Sequence, residues 1–407
     1  MRVLMLSWEY PPHTVGGMGR HVAELSAALA RQQIEVHIIT PLLGGGLPEE
    51  QTADGVFVHR ITAQPMAGYS YVAFVQQTNS ALERYARALC DQLGSFELIH
   101  AHDWLTTSVA VALKHLWRRP LVATIHATER GRQQGNLTSG HSDQINNLEW
   151  WLTYEAWRVI TCSRFMAEQV HAYFNTPTDK IDVVPNGVHI YSSPFLSEEE
   201  RSIFRRRFAI ADAPLIFYVG RIVYEKGLHL LINGWPQVLK VIPEARLVIA
   251  GTGDQFERVK QQTWDLHIND TIVFTGFISD MDRERFYHAA DTAVFPSLYE
   301  PFGIVALEAM AATCPVVVAS TGGLAEVVRL HETGIVVYPN DPDSLAWGIL
   351  HTITHPEWAS TRAANALREV RDHYNWQTTG QSTITVYERA ILDWRRASWG
   401  AELVPRQ

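Results

Sequence analysis

The chain has 407 residues, of which 46% are hydrophobic and 19% charged, with a formal net charge of −9. A chain of this size and composition forms two or three globular domains, each large enough for its own core. The acidic balance without a basic run argues against nucleic acid, and no run nears the ~18 apolar residues of a membrane span.

Cys90, Cys162 and Cys314 are widely spaced, give neither a zinc pattern nor a disulfide framework, and fit a reducing, cytoplasmic compartment. Residues 2–8 are a short apolar run rather than an alternating one, which predicts a buried strand broken at Pro11 and Pro12. The run TVGGMGRHVAELSAALARQ follows. Gly16 and Gly17 permit close backbone approach, and Val22, Leu25 and Leu29 recur at helical spacing. Strand, glycine turn and helix make a phosphate-binding pattern, although the full GxGxxG is absent. Residues 35–40 predict a second strand, LLGGGLPEEQTADG a loop, 56–61 an edge strand and 81–93 a helix.

Residues 96–102 form a strand that ends in HAHDW. His100, His102 and Asp103 have no specific metal spacing, and a second cluster to complete a shell is missing. Asp103 could equally cap a helix over 104–116. The strand 121–126 ends in IHATERGRQQG, with His126 at the carboxyl end, where ligands bind in open α/β sheets. A lone histidine is more often a satisfied structural residue. A tryptophan-rich helix over 146–157 and strands over 158–163 and 181–184 complete the first half, which ends in VPNGVH. The stretch SEEERSIFRRRFAI predicts a solvated helix at the boundary.

The second half repeats the first in kind. Residues 214–219 are an apolar strand that ends in GRIVYEKG and leads into a helix over 228–241. Arg221 and Lys226 sit in that loop. Two fixed cations there can neutralise a diphosphate without a metal, unless they are simply solvated surface charges. The strand 246–250 ends in GTGD, without the third glycine of a dinucleotide fingerprint. The run Asp280-Met281-Asp282 spells DxD but stands before RERFYHAAD, where it suits a helix N-terminus. After the strand 292–296 comes LYEPFGIVALE. With Pro301 at the first helical position, Glu300 would sit at a helix mouth beside the unpaired amides of Phe302, Gly303, Ile304 and Val305. Glu308 would lie roughly 12 Å deeper. The plainer alternative is a capped helix with one buried, satisfied glutamate. The strand 316–320 then leads to a glycine turn at Thr321 and Gly322, with more amides for phosphate, and an amphipathic helix over 384–399 closes the chain.

Taken together, EPFGIVALE, HAHDW, the strand-end histidine, the Gly-Gly turn and the Arg221/Lys226 pair resemble retaining glycosyltransferases of family 4, which include bacterial glycogen and starch synthases. The resemblance implies the α/β GT-B fold, with two doubly wound Rossmann-like domains facing across a cleft. Residues 1–190 would be the acceptor-side domain, 191–385 the nucleotide-sugar domain, and 386–407 a helix that crosses back. It implies transfer of glucose from ADP-glucose or UDP-glucose to an α-1,4-glucan or maltooligosaccharide, with no metal and no cofactor. His126, Arg221, Lys226 and Glu300 would be catalytic. Gly16, Gly17, Asp103, Gly303, Ile304, Val305, Glu308, Thr321 and Gly322 would bind the donor. Two positions depart from the pattern: Thr14 stands where glycogen synthases carry lysine, and His189 where the family has aspartate. The alternatives on the same fold are transfer to a lipid or small sugar, and a sugar-nucleotide epimerase.

Overall fold

Parallel sheets covered by helices bury both faces of their strands, so the strands are continuous apolar runs. The computed structural model describes residues 1–63, 68, 70–137, 139–210, 213–397 and 399. The chain divides into two units. Met1–Gly187 and the segment from Trp376 form the first, and Val188–Asn375 forms the second.

The first unit contains β1 (Arg2–Leu6), β2 (Glu35–Leu42), β3 (Glu49–Gln51), β4 (Phe57–Thr62), β5 (Leu98–His102), β6 (Leu121–Ile125), β7 (Arg158–Thr161) and β8 (Ile181–Val183). Their order in the sheet is β3-β4-β2-β1-β5-β6-β7-β8. All pairs are parallel except β3 with β4. Val3 faces both Val36 and Leu98, so β1 is the strand from which the order runs out in both directions. Residues of β5 and β6 are buried throughout.

The second unit contains β9 (Leu215–Val219), β10 (Arg246–Ala250), β11 (Ile272–Gly276), β12 (Thr292–Phe295), β13 (Val316–Ala319) and β14 (Ile335–Val337). The order is β11-β10-β9-β12-β13-β14, all parallel. This is the doubly wound arrangement, with its switch point between β9 and β12. In the first sheet the switch point lies between β1 and β5. Ligands bind beyond the carboxyl ends of the strands at such points.

The last helix, Trp376–Arg396, belongs to the first unit. Trp376, Ile384, Val386, Tyr387 and Ala390 join a core with Val3, Met5, Val22 and Leu25. It begins well before residue 386, where the sequence placed the returning segment, and residues 400–407 of that segment lie outside the described residues. Other boundaries also moved. The loop predicted before residue 56 contains β3, a polar antiparallel edge strand that covers β4, so β4 is internal. The helix predicted over 146–157 spans Gly140–Glu155, because Ser139 caps it by accepting from the Ser142 amide. The helix Glu198–Arg205 is not solvated all round. Phe204 and Arg205 are buried, and the Arg205 guanidinium donates to the carbonyls of Ala289 and Ala213.

Candidate functional site

In the second unit, three loops meet at the carboxyl ends of β9, β12 and β13. The amides of Leu298 and Tyr299 donate to the Glu225 carbonyl at 2.8 and 3.2 Å, which ties the Arg221–Lys226 loop to the acidic loop. Gly227 turns that loop with φ +67°, and a Cβ there would lie 2.0 Å from the Pro296 carbonyl oxygen. Only glycine tolerates both conditions. The Gly323 amide donates to the Glu300 carbonyl at 2.9 Å, which brings the Thr321-Gly322 turn beside Glu300.

Within this arrangement, Lys226 Nζ lies 2.6 Å from Glu300 Oε2, and Ser297 Oγ donates to the same oxygen at 3.2 Å. Glu300 is 7% exposed. A charge-assisted bond in a partly desolvated site fixes both groups. Arg221 is half-exposed and reaches Glu225 Oε1 at 3.3 Å. Its guanidinium therefore faces solvent at the same mouth.

The helix after Glu300 starts later than Pro301 predicts. It spans Ile304–Ala311, and Gly303 precedes it with φ +101°. That left-handed residue interrupts the continuation that the proline favours. The helix has no side-chain cap, and its first bonds run from the Ala306 and Leu307 amides to the Gly303 carbonyl. The amides of Ile304 and Val305 precede the first intrahelical donors, so their N–H groups lie at the open helix end. Glu308 is buried and satisfied: Arg283 Nε is 3.2 Å from Oε2, and the Tyr287 hydroxyl donates to it at 3.3 Å. Asp280 and Asp282 form a capped helix start under Ser279, and Asp280 pairs with Arg283. The glycines of GTGD serve packing, since a Cβ on Gly253 would lie 2.2 Å from the Ile222 carbonyl.

In the first unit, the Gly16-Gly17 turn follows β1, and Glu9 holds it by accepting from the amides of Val15 and Gly16 at 2.8 and 3.1 Å. A Cβ on Gly16 or Gly17 would meet nothing within 4 Å. The space over these two residues is open. Asp103 ends β5 with φ +55° and does not cap the following turn. Its carboxylate instead accepts from the His126 amide at 2.7 Å, which joins the ends of β5 and β6. Burial pushes its pKa up to about 6, against the pull of Arg132 and the amides of His126 and Ala127.

Four histidines gather behind it. His102 Nδ1 and His126 Nε2 are 3.1 Å apart, and His100 bonds the Tyr387 hydroxyl and Thr124 Oγ1 at 2.7 Å each. His21 Nδ1 is 2.8 Å from Asn186 Oδ1. Burial, with the neighbouring rings, holds His21, His100 and His102 well below the usual imidazole range. Burial and Arg132 bring His126 down to about 3. All four are neutral at pH 7. Glu149 lies deeper and accepts from the Glu129 amide at 2.8 and 3.1 Å. Its burial raises it to about 8.

Gly16 and Gly17 follow β1, Asp103 and His126 follow β5 and β6, Arg221 and Lys226 follow β9, Glu300 follows β12, and Thr321 and Gly322 follow β13, whereas Glu308 lies within the helix Ile304–Ala311. The sequence reading missed Glu9, His21, Asn186 and Arg283. Arg283 stands in RERFYHAAD, already noted, and a carboxylate at Glu9 between Trp8 and Tyr10 was the available signal for the other. His21 and Asn186 stand in the runs TVGGMGRHVAELSAALARQ and VPNGVH, but they are 165 positions apart, so neither run signals their pairing.

Residues 200–369 match the family described as glycosyl transferases group 1, and residues 15–191 match glycosyltransferase family 4. An uncharacterized glycosyltransferase of Methanocaldococcus jannaschii is 39% identical over 96% of this chain and 99% of its own. The glycogen synthase of Mycobacterium tuberculosis is 35% identical over 95% of this chain and 94% of its own. The fold of the sucrose-phosphate synthase from Thermosynechococcus elongatus matches with a TM-score of 0.83 at 24% identity, over 96% of this chain and 99% of that one. With two doubly wound sheets and these relatives, the chain belongs to the GT-B glycosyltransferases of family 4 and resembles their glycogen and starch synthases.

Proposed function

We propose that the chain is a retaining, metal-independent hexosyltransferase that moves glucose from ADP-glucose or UDP-glucose to an α-1,4-glucan. The observation that carries this is the part-buried Lys226–Glu300 pair, 2.6 Å apart beyond β9 and β12 at the switch point of the second sheet. It supports a reading in which Lys226 is the cation for phosphate and Glu300 the carboxylate for sugar hydroxyls, held in one fixed geometry. The likeness to a glycogen synthase at 35% identity supports glucan as the acceptor.

In this reading, Lys226, Arg221 and the amides of Gly303, Ile304 and Val305 stabilise charge growing on the leaving diphosphate. Preorganised donors of this kind supply a large part of catalysis. Glu300 orients the sugar hydroxyls, and Glu308, held by Arg283 and Tyr287, receives the ribose. Gly16, Gly17, Thr321 and Gly322 contribute backbone to the phosphates, and Asp103 and His126 are assigned to the sugar. The bond from the anomeric carbon to the diphosphate breaks, and the acceptor oxygen bonds that carbon on the same face. The acceptor proton passes to the leaving phosphate oxygen.

The test is glucose transfer from ADP-glucose and UDP-glucose, side by side, to glycogen, to maltooligosaccharides and to no acceptor, with and without a chelator. The expected result is chain elongation with one donor, an α-configured product and no loss on chelation. Nucleotide release without elongation overturns the glucan acceptor, and a β-configured product overturns retention.

A further inference from the structure

Three imidazoles of the first unit come from three different elements: His21 from the helix Gly17–Arg31, His102 from the end of β5 and His126 from the residue after β6. One ring nitrogen of each lies within 4.8 Å of the other two. The 3.1 Å between His102 Nδ1 and His126 Nε2 is close to the spacing of two nitrogens bound at about 2.0–2.1 Å to one tetrahedral ion. On the third ring, Asn186 Oδ1 accepts from Nδ1–H, which leaves Nε2 with its lone pair. That Nε2 is buried and has no hydrogen-bond partner. His21 is 3% exposed and His102 fully buried. A buried acceptor without a donor is costly, and a cation supplies the missing partner.

We propose that His21, His102 and His126 form a binding site for a divalent transition metal of the zinc class, and that its occupancy blocks sugar transfer. Three imidazoles without a carboxylate suit zinc or cobalt and not magnesium or calcium, which take oxygen. His126 is the least buried of the three, so the fourth position opens beside it. Binding moves the proton shared by His102 and His126 to a far ring nitrogen, with no net release. A His126 held by metal cannot bond a sugar hydroxyl. The blocking half rests on the role assigned to His126 above, whereas the binding half does not.

The metal-free full chain is titrated with Co2+ alone, followed by its visible absorption, and the bound ion is displaced with Zn2+. One equivalent is expected to bind and to give the bands of a low-coordinate nitrogen site. His21→Gln abolishes the bands with the circular dichroism unchanged. Asn186→Ala, which removes the bond that orients His21, weakens binding by about 10- to 100-fold and carries the test if His21→Gln does not fold. His351→Ala, in the half-exposed aromatic patch of His351, His355 and Trp358, leaves the bands in place. Transfer falls to background in saturating Zn2+ and returns on chelation. Absence of stoichiometric binding, or equal binding by His21→Gln, overturns the site. Binding without inhibition overturns the blocking half and the sugar role of His126 with it.

Discussion

Lys226 has two effects that separate by mutation. Lys226→Ala is expected to lower kcat by about a hundredfold, or about 3 kcal/mol of barrier, in steady-state transfer assays. It also leaves the buried Glu300 carboxylate without its cation, which costs about 3–5 kcal/mol in a fully buried pair. Here the lysine keeps some solvent access and Ser297 still donates, so the loss falls below that range. Adding Glu300→Gln removes the unpaired charge and is expected to restore the urea midpoint without restoring turnover. Among the titrating groups, Glu149 is raised to about 8 by its burial. The native chain then holds a proton that the unfolded chain releases from about 4.5 upward, so this group's stabilisation is present below that pH and is lost as pH rises through about 8. Glu149→Gln is therefore expected to raise the urea midpoint at pH 8 and to leave it nearly unchanged at pH 4.5. The neutral histidines act in the opposite sense. His126, lowered from 6.5 to about 3, contributes stability that is lost as pH falls through that window.

Among the elements, the two glycine turns make opposite predictions. Gly227→Ala places a Cβ 2.0 Å from a carbonyl oxygen at φ +67°. It is expected to cost more than the ~1–3 kcal/mol of a strained backbone residue and to displace Lys226, seen as a lowered urea midpoint and lost turnover. Gly17→Ala meets no protein atom. Its stability should stay within about 0.5 kcal/mol, and a raised KM for the donor would mark the loop as a ligand contact. The same elements show what was legible in the sequence. The strands were legible because a parallel sheet demands apolar runs such as LIFYV and VVVA. β3 was not, because Glu49-Glu50-Gln51 is a polar edge with one neighbour. The helix after Glu300 was placed early because Pro301 is a local signal, whereas the φ of Gly303 answers to the packing of Leu324, whose Cδ2 would lie 2.7 Å from a Cβ there. Lys226 and Glu300 were each identified from their motifs. Their pairing was not, since 74 positions separate them and only the sheet order joins them.

For the whole molecule, the first unit is discontinuous along the chain and the second is not. The fragment Val188–Asn375 is expected to fold alone and to unfold cooperatively in urea. The fragment Met1–Gly187 lacks Trp376 and Tyr387 of its own core and leaves His100 without one of its two hydroxyl partners, so it is expected to stay loosely packed by near-UV circular dichroism. Adding a peptide that spans Trp376–Arg396 should restore a fixed signal. The returning helix also sets an order of events during translation. At about 5–20 residues per second, the ribosome needs about ten to forty seconds to make the second unit. Throughout that interval the amino-terminal sheet exposes the apolar patch that Trp376, Ile384 and Tyr387 later cover. The nascent chain therefore carries an unfinished amino-terminal sheet while the second unit is made, and that sheet reaches its final packing only after the second unit is complete.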